Sequence, residues 1–120
     1  MTTITQGMQT LEFLLSEAGG MRSREQVTVT VAGAVALPSG TVLGKITATG
    51  KYVAWATGLG DTVGGVASAV LINALPGVNG DYKGAVIARD AEVIGNRLNG
   101  GVALSADGIA DLLAVGVIVR

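Results

Sequence analysis

Thr41–Trp55, TVLGKITATGKYVAW, is the stretch whose reading decides the fold. Thr41–Thr47 is rich in β-branched residues. Ala48-Thr49-Gly50 interrupts it, with a glycine where positive φ is wanted, and Lys51–Trp55 resumes with Tyr52, Val53 and Trp55. Two apolar runs separated by a few residues that include glycine predict a β-hairpin. Trp55 is the only tryptophan and Tyr52 one of two tyrosines in a chain with 3% aromatic residues. They are therefore among the largest side chains that a core or a subunit contact has to bury.

Outward from this hairpin, the pattern stays β. Val27–Val31, VTVTV, alternates strictly and predicts a strand with valines on one face and threonines on the other. Gly33–Gly40 reads as a loop ending in Pro-Ser-Gly, Thr57–Thr62 as a turn, and Asn73–Asp81 as a second loop. Gly64–Ile72, made of small and apolar residues, predicts a strand covered on both faces. Tyr82–Ile94 reads as one long strand with charge in its middle. Near the end the period changes. Ser105 is placed to cap a short helix, Ile109, Leu112 and Leu113 fall on one helical face, Asp107 suits the first turn, and Gly116 ends it. Val117–Val119 closes as a strand.

With 120 residues, the chain is sized for one domain, and it shows no internal repeat. Nineteen glycines argue against long helices. The fold class expected is mainly β: a small single-domain barrel or sandwich-like fold, with one short C-terminal helix and an extended N-terminal arm. The arm is assigned to residues 1–24 and the β-rich domain to 25–120.

Composition narrows the function. Hydrophobic residues make up 49% and charged residues 14%, and mean hydropathy is +0.56. No apolar run reaches the about 18 residues of a membrane helix, and no secretory leader is evident. We expect a soluble chain whose apolar surface meets a protein partner. A net charge of −1 with scattered basic residues argues against direct nucleic-acid binding. No cysteine and no histidine are present, which removes thiol chemistry and the commonest general base and metal ligand.

The remaining motifs are weak as chemistry. Gly58-Leu59-Gly60 with Gly64 has spacing one residue too long for a dinucleotide loop. Lys51 near the hairpin tip lacks the flanking methionines of a lipoyl or biotinyl carrier lysine. Asp90 and Glu92, at i and i+2, suggest a carboxylate pair for acid–base work or calcium, but a solvated face, or salt bridges with Arg89 and Arg97, accounts for them better. Nothing resembles a nucleophile with its base. No enzyme, cofactor or metal site is expected. The knot Leu11, Phe13, Leu14 and Leu15 either folds back onto its own domain or docks on a partner. Arg22 and Arg24 either keep the chain soluble or pair with a partner's carboxylates.

Several segments in order then resemble one family. They are Phe13–Ala18 (FLLSEA), Arg22-Ser23-Arg24 leading into Val27-Thr28-Val29, Gly40–Ile46 (GTVLGKI), Gly50–Val53 (GKYV), Ala88–Val93 (ARDAEV) and the ending Gly116–Arg120. In this order and spacing the chain resembles the lambda-like head decoration proteins of tailed bacteriophages. The resemblance implies a compact, mostly β protein that sits as homotrimers on the outside of an icosahedral capsid, at three-fold and quasi-three-fold positions. It implies binding after the shell has expanded around its DNA, and clamping of neighbouring major capsid subunits. It also implies that the N-terminal arm, with Leu11, Phe13, Leu14, Leu15, Arg22 and Arg24, carries much of the capsid contact. Tyr52 and Trp55 are then candidates for the core or the trimer contact. The competing expectation is a small β-barrel module binding a ligand or carrier group near Tyr52 and Trp55, and a third is a hydrolase using Asp90 and Glu92.

Overall fold

A computed structural model describes residues 11, 13–19, 22–56, 60, 63–98 and 105–120. Its strands are β1 (Leu14–Glu17), β2 (Arg24–Val31), β3 (Val42–Ile46), β4 (Tyr52–Ala54), β5 (Val63–Leu71), β6 (Gly80–Ile87), β7 (Ala91–Val93) and β8 (Val117–Val119). A 3₁₀ turn spans Gly95–Arg97, and one helix, α1, spans Ala106–Ala114. Five strands close a barrel in the order β2-β4-β3-β5-β6, while β1, β7 and β8 form a separate three-stranded sheet with β7 in the middle.

The barrel follows from the pattern of its strands. Val29 and Val31 point inward and are buried, while Thr28 and Thr30 are half-buried. β2 pairs with β6 over eight consecutive antiparallel positions, Arg24↔Ile87 to Val31↔Gly80. The predicted hairpin is present, with β3 and β4 antiparallel and Lys45 opposite Tyr52. Gly50 has φ +73°, the left-handed conformation the turn needs. The hairpin closes the barrel from both sides: β4 meets β2 in parallel at Val29↔Tyr52, and β3 pairs with β5. At one point β3 and β5 approach so closely that a Cβ on Gly44 would lie 2.1 Å from the Gly64 carbonyl oxygen.

Three expectations change. The long strand expected over Tyr82–Ile94 breaks at Ala88–Asp90, because Asp90 takes φ +51° and turns the chain out of the barrel into the small sheet. The helix starts and stops as expected: the Ser105 hydroxyl accepts from the Gly108 amide at 3.4 Å, and Gly116 follows at φ +87°. Its inward face, however, carries Gly108 and Leu112, and Ile109 and Leu113 are exposed. The half-buried Asp111 also reaches inward, where its carboxylate accepts from the Ala67 amide at 3.1 Å. The third change concerns the arm. Phe13 is fully buried, and Leu14–Glu17 is a strand of the fold paired with β7, so the body begins well before the expected boundary after Arg24. Residues 1–10 lie outside the described residues, as do 57–59, 61 and 62 of the expected Thr57–Thr62 turn.

Two apolar clusters fill the interior. One, under the small sheet and α1, gathers Phe13, Val42, Val70, Ile87, Val93, Leu98, Leu112 and Val117. The other fills the barrel end with Val29, Val31, Leu37, Leu43, Leu71, Leu75 and Val86. Among the described residues no helix is long and apolar enough to cross a membrane.

Candidate functional site

The N-terminal segment is held to the body by polar contacts as well as by Phe13. Glu17, at the end of β1, accepts from Arg24 Nη2 at 2.6 Å and from Arg24 Nε at 3.1 and 3.2 Å. It also accepts from the hydroxyl of the buried Ser23. The Arg24 guanidinium first, and then Ser23, holds the Glu17 carboxyl below the usual carboxylate range. Glu17 raises the pKa of Arg24 in return.

A second clasp crosses the sheet itself. Ser16 on β1 donates to Glu92 on β7 at 2.7 Å, and Arg120, just past β8, donates to Glu92 at 2.7 and 3.0 Å. Ser16 and then Arg120 lower the Glu92 pKa. Beside it, Arg22 bridges Asp90 at 3.4 Å. Salt bridges thus occupy both carboxylates of the candidate pair, but through Arg22 and Arg120 in place of the expected Arg89 and Arg97. Arg89 instead pairs with Glu25 at 2.8 Å.

The site residues named from the sequence therefore separate. Phe13 lies inside the core, Leu11 and Leu14 pack against it, and the Leu11 amide donates to Ser39 Oγ at 3.2 Å. Arg24 is gripped by Glu17. Only Leu15, 52% exposed at a β-bulge, and Arg22, on the surface, are presented outward. Tyr52 packs against the barrel cluster, and burial pushes its hydroxyl pKa up. Trp55 packs against the other cluster and donates to the Gly65 carbonyl at 3.1 Å. Lys51 sits on the surface in a 2.6 Å contact with Asp81.

The sequence reading missed an apolar surface at the small-sheet end. Leu113 on α1 and Ile118 on β8 are exposed and flank a shallow groove of about 380 Å³, floored by Ala91 and rimmed by Ser16, Asp90 and Glu92. The sequence held no signal for it: Ile109, Leu112 and Leu113 share a helical face, and only the inward placement of Gly108 and Asp111 in the fold leaves Ile109 and Leu113 outside.

At the small-sheet end an apolar groove thus lies beside Asp90 and Glu92, each held in an ion pair. The family model for bacteriophage lambda head decoration protein D matches residues 3–117. The chain belongs to this family. Head decoration protein D is a structural component of the phage capsid, so the role of this chain is capsid decoration, within the virion. No curated protein and no solved structure matches it.

Proposed function

We propose that this decoration protein binds the outer surface of the expanded phage head as homotrimers at three-fold and quasi-three-fold positions. There it clamps neighbouring major capsid subunits and stabilises the DNA-filled shell. The observation that carries the reading is the family match over residues 3–117.

The surface fits such a role. Leu15 and Arg22 are offered to the capsid by a segment that Phe13, Leu11, Leu14 and the Glu17–Arg24 clasp hold in place, so little ordering entropy is lost there on binding. The half-exposed edges of Tyr52 and Trp55 are the candidates for contact between subunits. Three such surfaces on one trimer add avidity on the order of 10²–10⁴ over a single contact. A site present only on the expanded shell stabilises that state by mass action.

Co-sedimentation with expanded and unexpanded undecorated shells, together with the solution mass, tests this. The full chain should saturate expanded shells in multiples of three and leave unexpanded ones bare. A chain lacking Met1–Thr10, which keeps Phe13 and β1, isolates the contribution of the first ten residues. Absence of binding to the cognate expanded shell overturns the reading.

A further inference from the structure

We propose that α1 is a latch over an unpaired stretch of β5, held shut by Asp111, and that this stretch pairs with β5 of a second copy when the latch is lifted. The inference stands apart from the capsid reading, since it concerns how the free chain is kept from joining itself.

The barrel closes unevenly at β5. On one side β3 follows it from Val42↔Val70 to Ile46↔Val63. On the other side β6 meets only its last two residues, at Val70↔Ile87 and Leu71↔Val86. Among the described residues, no strand pairs with 63–69 on that side. Side chains meet the main chain there instead. Asp111 on α1 accepts from the Ala67 amide at 3.1 Å, the Trp55 indole donates to the Gly65 carbonyl at 3.1 Å, and the Ser68 hydroxyl donates to the Val66 carbonyl at 3.0 Å. A backbone N–H points sideways from its strand, so the Asp111 carboxylate takes the place that a carbonyl of the next strand would fill.

An unguarded strand edge invites a strand from another chain, and proteins blunt such edges with lysine, proline or a covering helix. β5, VGGVASAVL, is the longest described strand, and it carries no charge and no proline. It therefore depends on its cover. β2, β3 and β6 each carry a lysine or arginine of their own. The same composition favours β5 of a second copy as occupant: two uncharged strands pair antiparallel about a two-fold axis with no like charges opposed.

The latch is lightly held. A helix of nine residues is too short to be stable alone in water, so α1 depends on its docking. Only Gly108 and Leu112 of the helix are buried. Leu112 supplies the apolar anchor, and Asp111 beside it supplies a directed bond to β5. Without that carboxylate the N–H of the buried Ala67 is left unmet, and a carbonyl from a second β5 would satisfy it.

Full-length Asp111→Ala and Asp111→Asn test this, read by amide exchange and sedimentation velocity. Asparagine keeps an oxygen acceptor for the Ala67 N–H, and alanine does not. In Asp111→Ala, exchange at Ala67 and along residues 63–69 should rise at least about tenfold, while the β2–β6 ladder keeps its protection. The same variant should associate beyond the wild-type state as concentration rises. Asp111→Asn should match wild type in both readouts. Adding Ser68→Lys to Asp111→Ala puts like charges on the paired β5 strands, and should abolish the association while exchange stays fast. Unchanged exchange in Asp111→Ala overturns the proposal, as does fast exchange without association. Association that survives Ser68→Lys assigns the contact to another surface and overturns it too. So does an Asp111→Asn variant as loose as Asp111→Ala. Loss of protection in the β2–β6 ladder also sinks it, because α1 then does not lift on its own.

Discussion

The barrel and the three-stranded sheet are stabilised in different ways. In the barrel, every strand has two partners, and the order closes on itself through β2 and β6. In the small sheet, β1 and β8 are edges, each short, and only β7 has neighbours on both sides. Closure removes edges, so the barrel's integrity depends on backbone spacing and register. The open sheet lacks that constraint. It is secured by one deeply buried aromatic ring and by two carboxylates, each gripped by an arginine and a serine. The comparison teaches that an open sheet with two short edges depends on side-chain fastenings where a closed barrel depends on its backbone.

The sharpest way to break the barrel is Gly44→Ala. The added methyl would overlap the Gly64 carbonyl, and backbone cannot yield as a side-chain tip does. We expect a loss of 4 kcal/mol or more, on the order of the largest single-residue effects, read as failure to fold or as a collapse of the denaturant midpoint.

Phe13→Ala attacks the sheet instead. Emptying this fully buried position should cost about 3–5 kcal/mol. Amide exchange should then rise first in β1 and β7, while the β2–β6 ladder stays protected. Simultaneous loss in both units would show that they are not separable.

Acid sharpens the comparison further. Glu17 and Glu92 have pKa values held below the ordinary range, so their contribution is present above the unfolded carboxylate pKa of about 4.3. It is lost as pH falls through the lower folded values. Stability should therefore decline below about pH 4. Asp81, lowered by Lys51 and Thr30, adds a barrel component of the same sign. Glu17→Gln should cost roughly 1 kcal/mol at neutral pH and flatten the acid arm of a melting-temperature profile. An unchanged profile would remove the clasp from the account. The smallest effect is expected from Ser105→Ala, about 0.5 kcal/mol, since its capping bond is long.

How legible this was depended on whether local chemistry dictated the outcome. The alternation in Val27–Val31, the glycine at position 50 and the Ser105 and Gly116 helix signals are local, and the structure has the strand, the hairpin and the helix. Asp90 was illegible because a left-handed turn at a non-glycine residue is set by tertiary context, here the departure from the barrel. The fate of Leu11–Leu15 was illegible for a related reason: the cavity that receives Phe13 is lined by residues far along the chain. Glu17 drew no notice because a lone acid on a short strand means little until Ser23 and Arg24 converge on it. The family was readable from the order of motifs, and the apolar groove was not, since it required knowing which helix face turns inward.

The position of β7 in the middle of the small sheet has a consequence for the growing chain. β1 is the first strand among the described residues, yet Ser16 meets Glu92 across 76 residues. At about 5–20 residues per second of synthesis, Phe13 and its neighbours wait roughly 4–15 s on the ribosome before their partner strand exists. Barrel closure has a similar delay, because β2 needs β6. Phe13 and β1 are thus among the last of the described residues to find their place, and long-range pairing of this kind folds slowly. The same interval is when a newly made copy is most exposed to sticking to another.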